Sequence, residues 1–204
     1  MSLLLRVELP DVPGSLGRLA TAIGVAGGDI EALEIVEKRY DGTAVDDVLV
    51  ETPAGVMPDS IVSACNALDG VQVVWISRYA AGNNLFLDLE VVEELTGSPD
   101  VAFERLVDML PVTFRCEWGA WVAPHDKVLR GTEGAPLDVP WSAVDQPVRL
   151  PPVDDDDVRC AAPLTGDQIV VIGRRGGPEF LESELARLGH LAGLAASISE
   201  RSGR

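Results

Sequence analysis

Histidine occurs only twice in this 204-residue chain, at His125 and His190, and cysteine three times, at Cys65, Cys116 and Cys160. Two distant histidines do not make a metal site. Three cysteines, odd in number and widely spaced, argue against a disulfide framework and fit a reducing compartment. Basic residues are scarce as well: 16 Lys and Arg stand against 33 Asp and Glu, a net charge of −17. Both halves share the deficit, −7 over residues 1 to 79 and −10 over the rest. A surface this acidic repels phosphate backbones, so no nucleic-acid partner is expected. No apolar run approaches the roughly 20 residues of a membrane span. The opening Met1-Ser-Leu-Leu-Leu-Arg6 is too short and too quickly charged for a signal peptide. These absences point to a cytoplasmic protein with no membrane partner. No P-loop, dinucleotide fingerprint, zinc spacing or nucleophile elbow occurs, so no cofactor, metal or catalytic residue is expected.

What is present begins with an alternating run, Leu3 to Leu9. Leu3, Leu5, Val7 and Leu9 share one side of a strand, and Arg6 and Glu8 face the other way. Pro13, with its fixed φ and missing N–H, suits a first helical turn. Leu16, Leu19, Ala20 and Ile23 recur at helical spacing, and Gly27-Gly28 is placed to end that helix. Ile30 to Glu37 and Thr43 to Glu51 read as strands joined by a turn at Asp41-Gly42. Pro58 opens a short helix with Ile61, Ala64, Cys65 and Leu68 on one face; Asp69-Gly70 stops it, and Val71 to Ser77 returns as a strand. The order is βαββαβ, a ferredoxin-like α+β arrangement: one antiparallel sheet with two helices on one face.

Two segments of this half, Asp11-x-Pro13-Gly14-x-Leu16 and Ala26-Gly27-Gly28-Asp29-Ile30, resemble the ACT domain, a regulatory module that binds amino acids. The resemblance spans roughly residues 3 to 79 and is nearest to ACT domains appended to malic enzymes and other metabolic enzymes. It implies an effector site built from Asp11, Val12, Pro13, Gly14, Ser15 and Leu16, closed by Gly28, Asp29 and Ile30, often of a partner chain. Asp11 would take the ammonium, and backbone N–H groups near Ser15 and Leu16 the carboxylate. The alternative is that Pro13 and Gly14 merely shape a turn and Gly28 merely caps a helix. The loop lacks the Asn or His that many amino-acid-binding versions present.

Ala80 to Asn84 is small, polar and turn-prone, and marks a boundary between domains at 1–80 and 85–204. Beyond it, Leu85 to Leu95 reads as a helix, and a second follows Ser98-Pro99-Asp100 with Phe103, Leu106, Val107 and Leu110 on one face. Phe114 to Val122 reads as a strand, in which Trp118 and Trp121 point to opposite faces. Short strands are expected around Lys127 to Arg130 and Pro147 to Leu150, and a loop at Asp154 to Asp157. Val158 to Leu164 and Gln168 to Arg174 form a hairpin about Thr165-Gly166-Asp167. Pro178 opens a last helix with Phe180, Leu181, Glu184, Leu185, Leu188 and Ala192 at helical spacing, leaving His190 about opposite Leu181.

The closing residues, Ala162-Pro163-Leu164, Ile169 to Gly173, Phe180 and Glu182 to Ala196, resemble a GAF domain, a sensing fold related to PAS domains. The resemblance implies a GAF/PAS-like α+β domain with an antiparallel sheet. The cyclic-nucleotide signature of some GAF domains is not visible. One GAF-related enzyme reduces free methionine sulfoxide with cysteines, but neither Cys116 nor Cys160 lies in a Cys-x-x-Cys or beside a His, so both read as buried apolar thiols. Arg174-Arg175-Gly176-Gly177 is a weak anion-site candidate, and otherwise a hairpin-to-helix connection. The sequence therefore reads as a non-catalytic regulatory protein that binds an amino acid or related metabolite at a subunit interface. Its implied partners are a second copy, as a homodimer or higher even oligomer, and a metabolic enzyme. The alternatives are a thiol enzyme acting on methionine sulfoxide and an assembly module with an empty pocket.

Overall fold

Apolar side chains at every second position decide which way the first strand faces. In the computed structural model, which describes residues 1–78, 87–153 and 157–202, β1 spans Ser2–Pro10. Its Leu3, Leu5, Val7 and Leu9 enter one core with Leu19, Ile23, Ile61 and Cys65 from two helices. The remaining elements of this half are α1 (Ser15–Val25), β2 (Asp29–Lys38), β3 (Thr43–Glu51), α2 (Pro58–Asn66) and β4 (Gln72–Arg78). The four strands form one antiparallel sheet in the order β2-β3-β1-β4, the ferredoxin-like topology. On the face turned from the helices, Arg6 grips Asp47 through Nε–Oδ1 at 2.8 Å and Nη2–Oδ2 at 2.9 Å, both residues buried.

Two readings of α1 need correction. Pro13 lies in the turn before the helix, which begins at Ser15. Ala20 is exposed, because the buried stripe narrows to Leu19 and Ile23 with half-buried Leu16 beside them. The glycine stop is a Schellman cap: Gly27 takes φ +90°, its N–H donates to Gly24 O at 3.0 Å, and Gly28 N–H donates to Ile23 O at 2.9 Å.

The chain divides into two compact units, Met1–Gly82 and Asn83–Arg204. The boundary expected at Ala80 to Asn84 lies outside the described residues, as do Leu85 and most of the aspartate run. The second unit contains α3 (Leu87–Gly97), a 3-10 turn at Pro99–Val101, α4 (Ala102–Phe114) and β5 (Trp118–Ala123). There follow β6 (Lys127–Gly131), β7 (Val148–Leu150), β8 (Asp157–Pro163), β9 (Ile169–Arg175) and α5 (Glu182–Ser202). The strands pair antiparallel in the order β6-β5-β9-β8-β7. Helices α3, α4 and α5 cover one face through Val91, Leu106, Leu110, Leu188 and Ala192 against Cys160, Val170 and Ile172. The other face holds Trp118, Val122 and Val171 against Val139 and Trp141 of the connection between β6 and β7. Trp118 and Trp121 do point apart, the second packing on Phe103 at 5.1 Å between ring centroids.

Two boundaries shift in this unit. The strand expected from Phe114 begins only at Trp118, since Phe114 closes α4 and Arg115 takes a left-handed φ of 51°. The last helix begins at Glu182 rather than at Pro178, because the buried Glu184 carboxylate accepts the Leu181 N–H at 2.8 Å and fixes the first turn there.

Candidate functional site

The loop after β1 is a tight turn. Ser15 N–H donates to Val12 O at 3.2 Å, and Gly14 sits at φ 92°, ψ −11°. Those are the angles of the third residue of a type II turn, where glycine avoids the Cβ penalty, and Pro13 occupies the second position that proline favours. The turn delivers the chain into α1 with the helix's first N–H groups at the tip. Asp11, Val12, Pro13 and Gly14 are exposed, Leu16 is half-buried and Ser15 is buried. Lys38, the last residue of β2, donates to both Asp11 oxygens, at 2.9 and 3.0 Å.

The second half of the expected site is elsewhere. Asp29 pairs with Glu51 at the end of the sheet where β1 starts, whereas Asp11 hydrogen-bonds to Gly42 beyond the end where β1 stops. Helix α1 separates the two by about 1.5 Å per residue, roughly 16 Å over its length. Within one chain, residues 11–16 and 28–30 therefore do not converge. Asp29 is exposed, and Gly28 and Ile30 are half-buried. A Cβ on Gly28 would stand 2.6 Å from Val50 Cγ1 and 2.8 Å from Ile23 Cγ2. This glycine is thus demanded by core packing, while the positive φ belongs to Gly27.

Near the turn the structure adds a residue that sequence reasoning missed. Asp46 sits in the helix-facing row of β3, flanked by Val7 of β1 and Ile35 of β2, and is 1% exposed. Among the described residues, its Oδ1 and the Ser15 hydroxyl are buried without a hydrogen-bond partner. Burial first, then the Asp11 and Asp47 charges, push its carboxyl from 3.8 up to about 6, with Lys38 opposing. A signal existed: Ala44, Asp46, Val48 and Val50 form one alternating row, and only one of the four is polar. Because the folded pKa is raised, the folded state binds more protons than the unfolded chain between about pH 4 and 6. Stability from this group falls as pH rises through that window and is level above it. At about 1.4 kcal/mol per unit, the loss is about 2–3 kcal/mol. Urea unfolding at both ends of the window should show Asp46→Asn gaining about that much on the wild type, and an unchanged difference would contradict the assignment.

A shallow apolar groove of about 580 Å³ runs from Gly14 along Gly17, Thr21 and Val25 to Ala64 of α2 and Leu68, which lies just past that helix rather than on it as expected. In the second unit, burial pushes the Cys116 thiol up to about 12 and raises that of Cys160 further. The Cys116 thiol faces Trp118 O at 3.4 Å and Leu110 O at 3.7 Å. Arg174 offers no anion site: its guanidinium turns inward to Glu184 Oε1 at 2.7 Å and Phe114 O at 3.0 Å. His125 is exposed in the turn between β5 and β6, and His190 is exposed on α5. Among the described residues, no group of three potential ligands is placed to hold a metal, and no helix is long and apolar enough to cross a membrane.

No family model matches the chain. It is 36% identical over 74 residues to NAD-dependent malic enzyme 1 of Bacillus subtilis (strain 168), a match covering 36% of this chain and 17% of that enzyme. The chain thus spans less than a fifth of that relative. Among solved structures, it is similar to a formyltetrahydrofolate deformylase from Pseudomonas putida KT2440, at 10% identity and TM-score 0.30 over 48% of this chain and 38% of the other. It is also similar to an unknown protein from Galdieria sulphuraria, at 16% identity and TM-score 0.34 over 99% of this chain and 93% of the other.

Proposed function

We propose that the first unit is an ACT-like regulatory domain that binds an amino acid at the corner where β1 enters α1. The observation that carries this is the type II turn at Val12–Ser15, set by Pro13-Gly14, at the head of a helix in a βαββαβ unit. The turn bares backbone N–H groups at a helix N-terminus, where a carboxylate is favoured. Asp11 beside it already holds one cation, the Lys38 ammonium. The partial likeness to a malic enzyme agrees with a module that serves a metabolic enzyme.

On this reading the site needs two copies. Residues 28–30 lie at the far end of α1, so they close over residues 11–16 only from a second chain. Strand β2 is an edge strand of ten residues, and its Leu33 and Ile35 are exposed. An unpaired edge of this length favours pairing with another chain, and a homodimer is the simplest closed form. The second unit is a GAF-like domain without thiol chemistry, since a nucleophilic cysteine needs a lowered pKa and these two are raised.

The test is a thermal-shift screen of the full chain against the protein amino acids. A ligand at a hundred times its dissociation constant adds about 2.7 kcal/mol. One amino acid, or one chemical group of them, should raise the first unit's midpoint by roughly 10–20 °C. Asp11→Ala should weaken that response while leaving the unliganded midpoint nearly unchanged, because Asp11 is an exposed group. A silent screen with the wild type would leave the ACT-like unit as an assembly module.

A further inference from the structure

Three elements of the first unit end at one edge of the sheet. β1 runs out into the turn at Asp11, β2 ends at Lys38, and β3 begins at Thr43. Helix α1 starts over the same edge, with Ser15 as its first residue. The topology thus gathers Asp11, Lys38, Asp46 and Ser15 from four segments of the chain.

Their pairing is incomplete in a particular way. Asp46 and Asp47 are neighbours on opposite faces of β3, and both are buried. Asp47 is satisfied by Arg6. Asp46, in the row toward the helices, has no hydrogen-bond partner for Oδ1 among the described residues. An isolated carboxylate held this deep is costly, and an apolar residue would suit the row better. Ser15, 3% exposed, is the first residue of α1 after the Gly14 cap, and its hydroxyl is also buried without a partner. Asp11 is close enough for its charge to act on Asp46, as is Lys38 in the opposite sense. The corner therefore holds two carboxylates with one cation between their influences, and that cation sits on the exposed, flexible end of a lysine.

We propose that Asp46 is the buried acceptor for the ammonium group of the bound amino acid, which enters between Asp11 and Asp46 and displaces Lys38 from Asp11. The Ser15 hydroxyl is the neutral acceptor completing the seat. This rests on the corner being an amino-acid site and adds which end of the ligand it grips and by which residue. The unliganded ion pair is exposed, with side-chain accessibilities of 57% for Lys38 and 39% for Asp11, so exchanging it costs little. The gain lies at Asp46, whose charge the Lys38 ammonium offsets only in part and whose Oδ1 accepts no hydrogen bond among the described residues until the ligand's ammonium arrives. The ligand's carboxylate then faces the α1 N-terminus.

The test uses the full chain and the amino acid that gives the largest thermal shift. Its α-hydroxy acid, which keeps the carboxylate and side chain but lacks the ammonium, should bind the wild type at least tenfold more weakly. Asp46→Asn should weaken the amino acid at least tenfold, while Lys38→Met should bind it as tightly as the wild type or more tightly. The unliganded midpoint of each variant reports whether it has folded, and the hydroxy-acid comparison needs no variant. If the amino acid binds Asp46→Asn with wild-type affinity, or the hydroxy acid matches the amino acid on the wild type, Asp46 is not the ammonium acceptor, although the amino-acid site stands. If no amino acid binds the wild type, both the acceptor and the site fall.

Discussion

Glu184→Ala should destabilise the second unit by about 3–5 kcal/mol, enough to unfold much of a marginally stable domain. The size follows from what is left behind. Arg174 is 1% exposed, stacks over the Phe180 ring at 3.9 Å from its centroid, and donates to Glu184 at 2.7 Å. Removing the carboxylate strands that guanidinium in the core. It also frees the Leu181 N–H that Glu184 accepts, so the head of α5 loses its anchor. Arg174 bridges β9 to the end of α4 through Phe114 O, so both helices that flank the pair should loosen. Urea unfolding followed by the fluorescence of Trp118 and Trp121 reads the loss. Replacing both partners, as Arg174→Met with Glu184→Leu, should recover most of it, because the cost is that of an uncompensated charge rather than of the missing pair. A loss under about 1 kcal/mol for Glu184→Ala would mean that the pair is not buried as described.

Gly28→Val should cost the first unit about 3 kcal/mol, toward the upper end of the range for overpacking. The Cβ alone would overlap Val50 and Ile23, with Ile61 Cδ1 at 3.2 Å, and two further methyl carbons must fit behind it. All three neighbours are fully buried and belong to the same core, so none can withdraw freely. The loss should appear with no ligand present. Gly28→Val is therefore a folding mutation, unsuited to probing the site, and Gly28→Ala should show a smaller form of the same effect. Thermal unfolding of the two variants checks the order. A Gly28→Val protein with a wild-type midpoint would show that this contact is loose.

The first unit was the more legible half. Leu3, Leu5, Val7 and Leu9 of β1 alternate into the core, and the turns carry Gly where φ is positive, so these local preferences agree with the final sheet. Gly27-Gly28 signalled the helix stop, but only coordinates separate the left-handed residue from the close-packed one. The readings that moved did so for tertiary reasons. Phe114 and Cys116 alternate with Trp118 as a strand would, yet Phe114 lies four residues after Leu110 and closes the same buried helical face. Pro178 marks a helix start by local rule, but Phe180 and Leu181 are buried first, in an irregular segment held by Arg149, whose Nε donates to Phe180 O at 2.6 Å. Of the site, the turn was readable from Pro13-Gly14. Asp46 was missed although Ala44, Val48 and Val50 of its row are apolar, because only pairing register shows that this row is the inner one.

The central claim is that an amino acid binds at the corner formed by the β1–α1 turn and the start of β3. Backbone amide NMR of the full chain, titrated with the amino acid that gives the largest thermal shift, tests it most directly. The account predicts the largest shift changes at Asp11, Gly14, Ser15, Leu16 and Asp46, with a second group at Gly28, Asp29 and Ile30 if two copies share the site. Changes confined to residues 87–202, or none at saturating concentration, would contradict it.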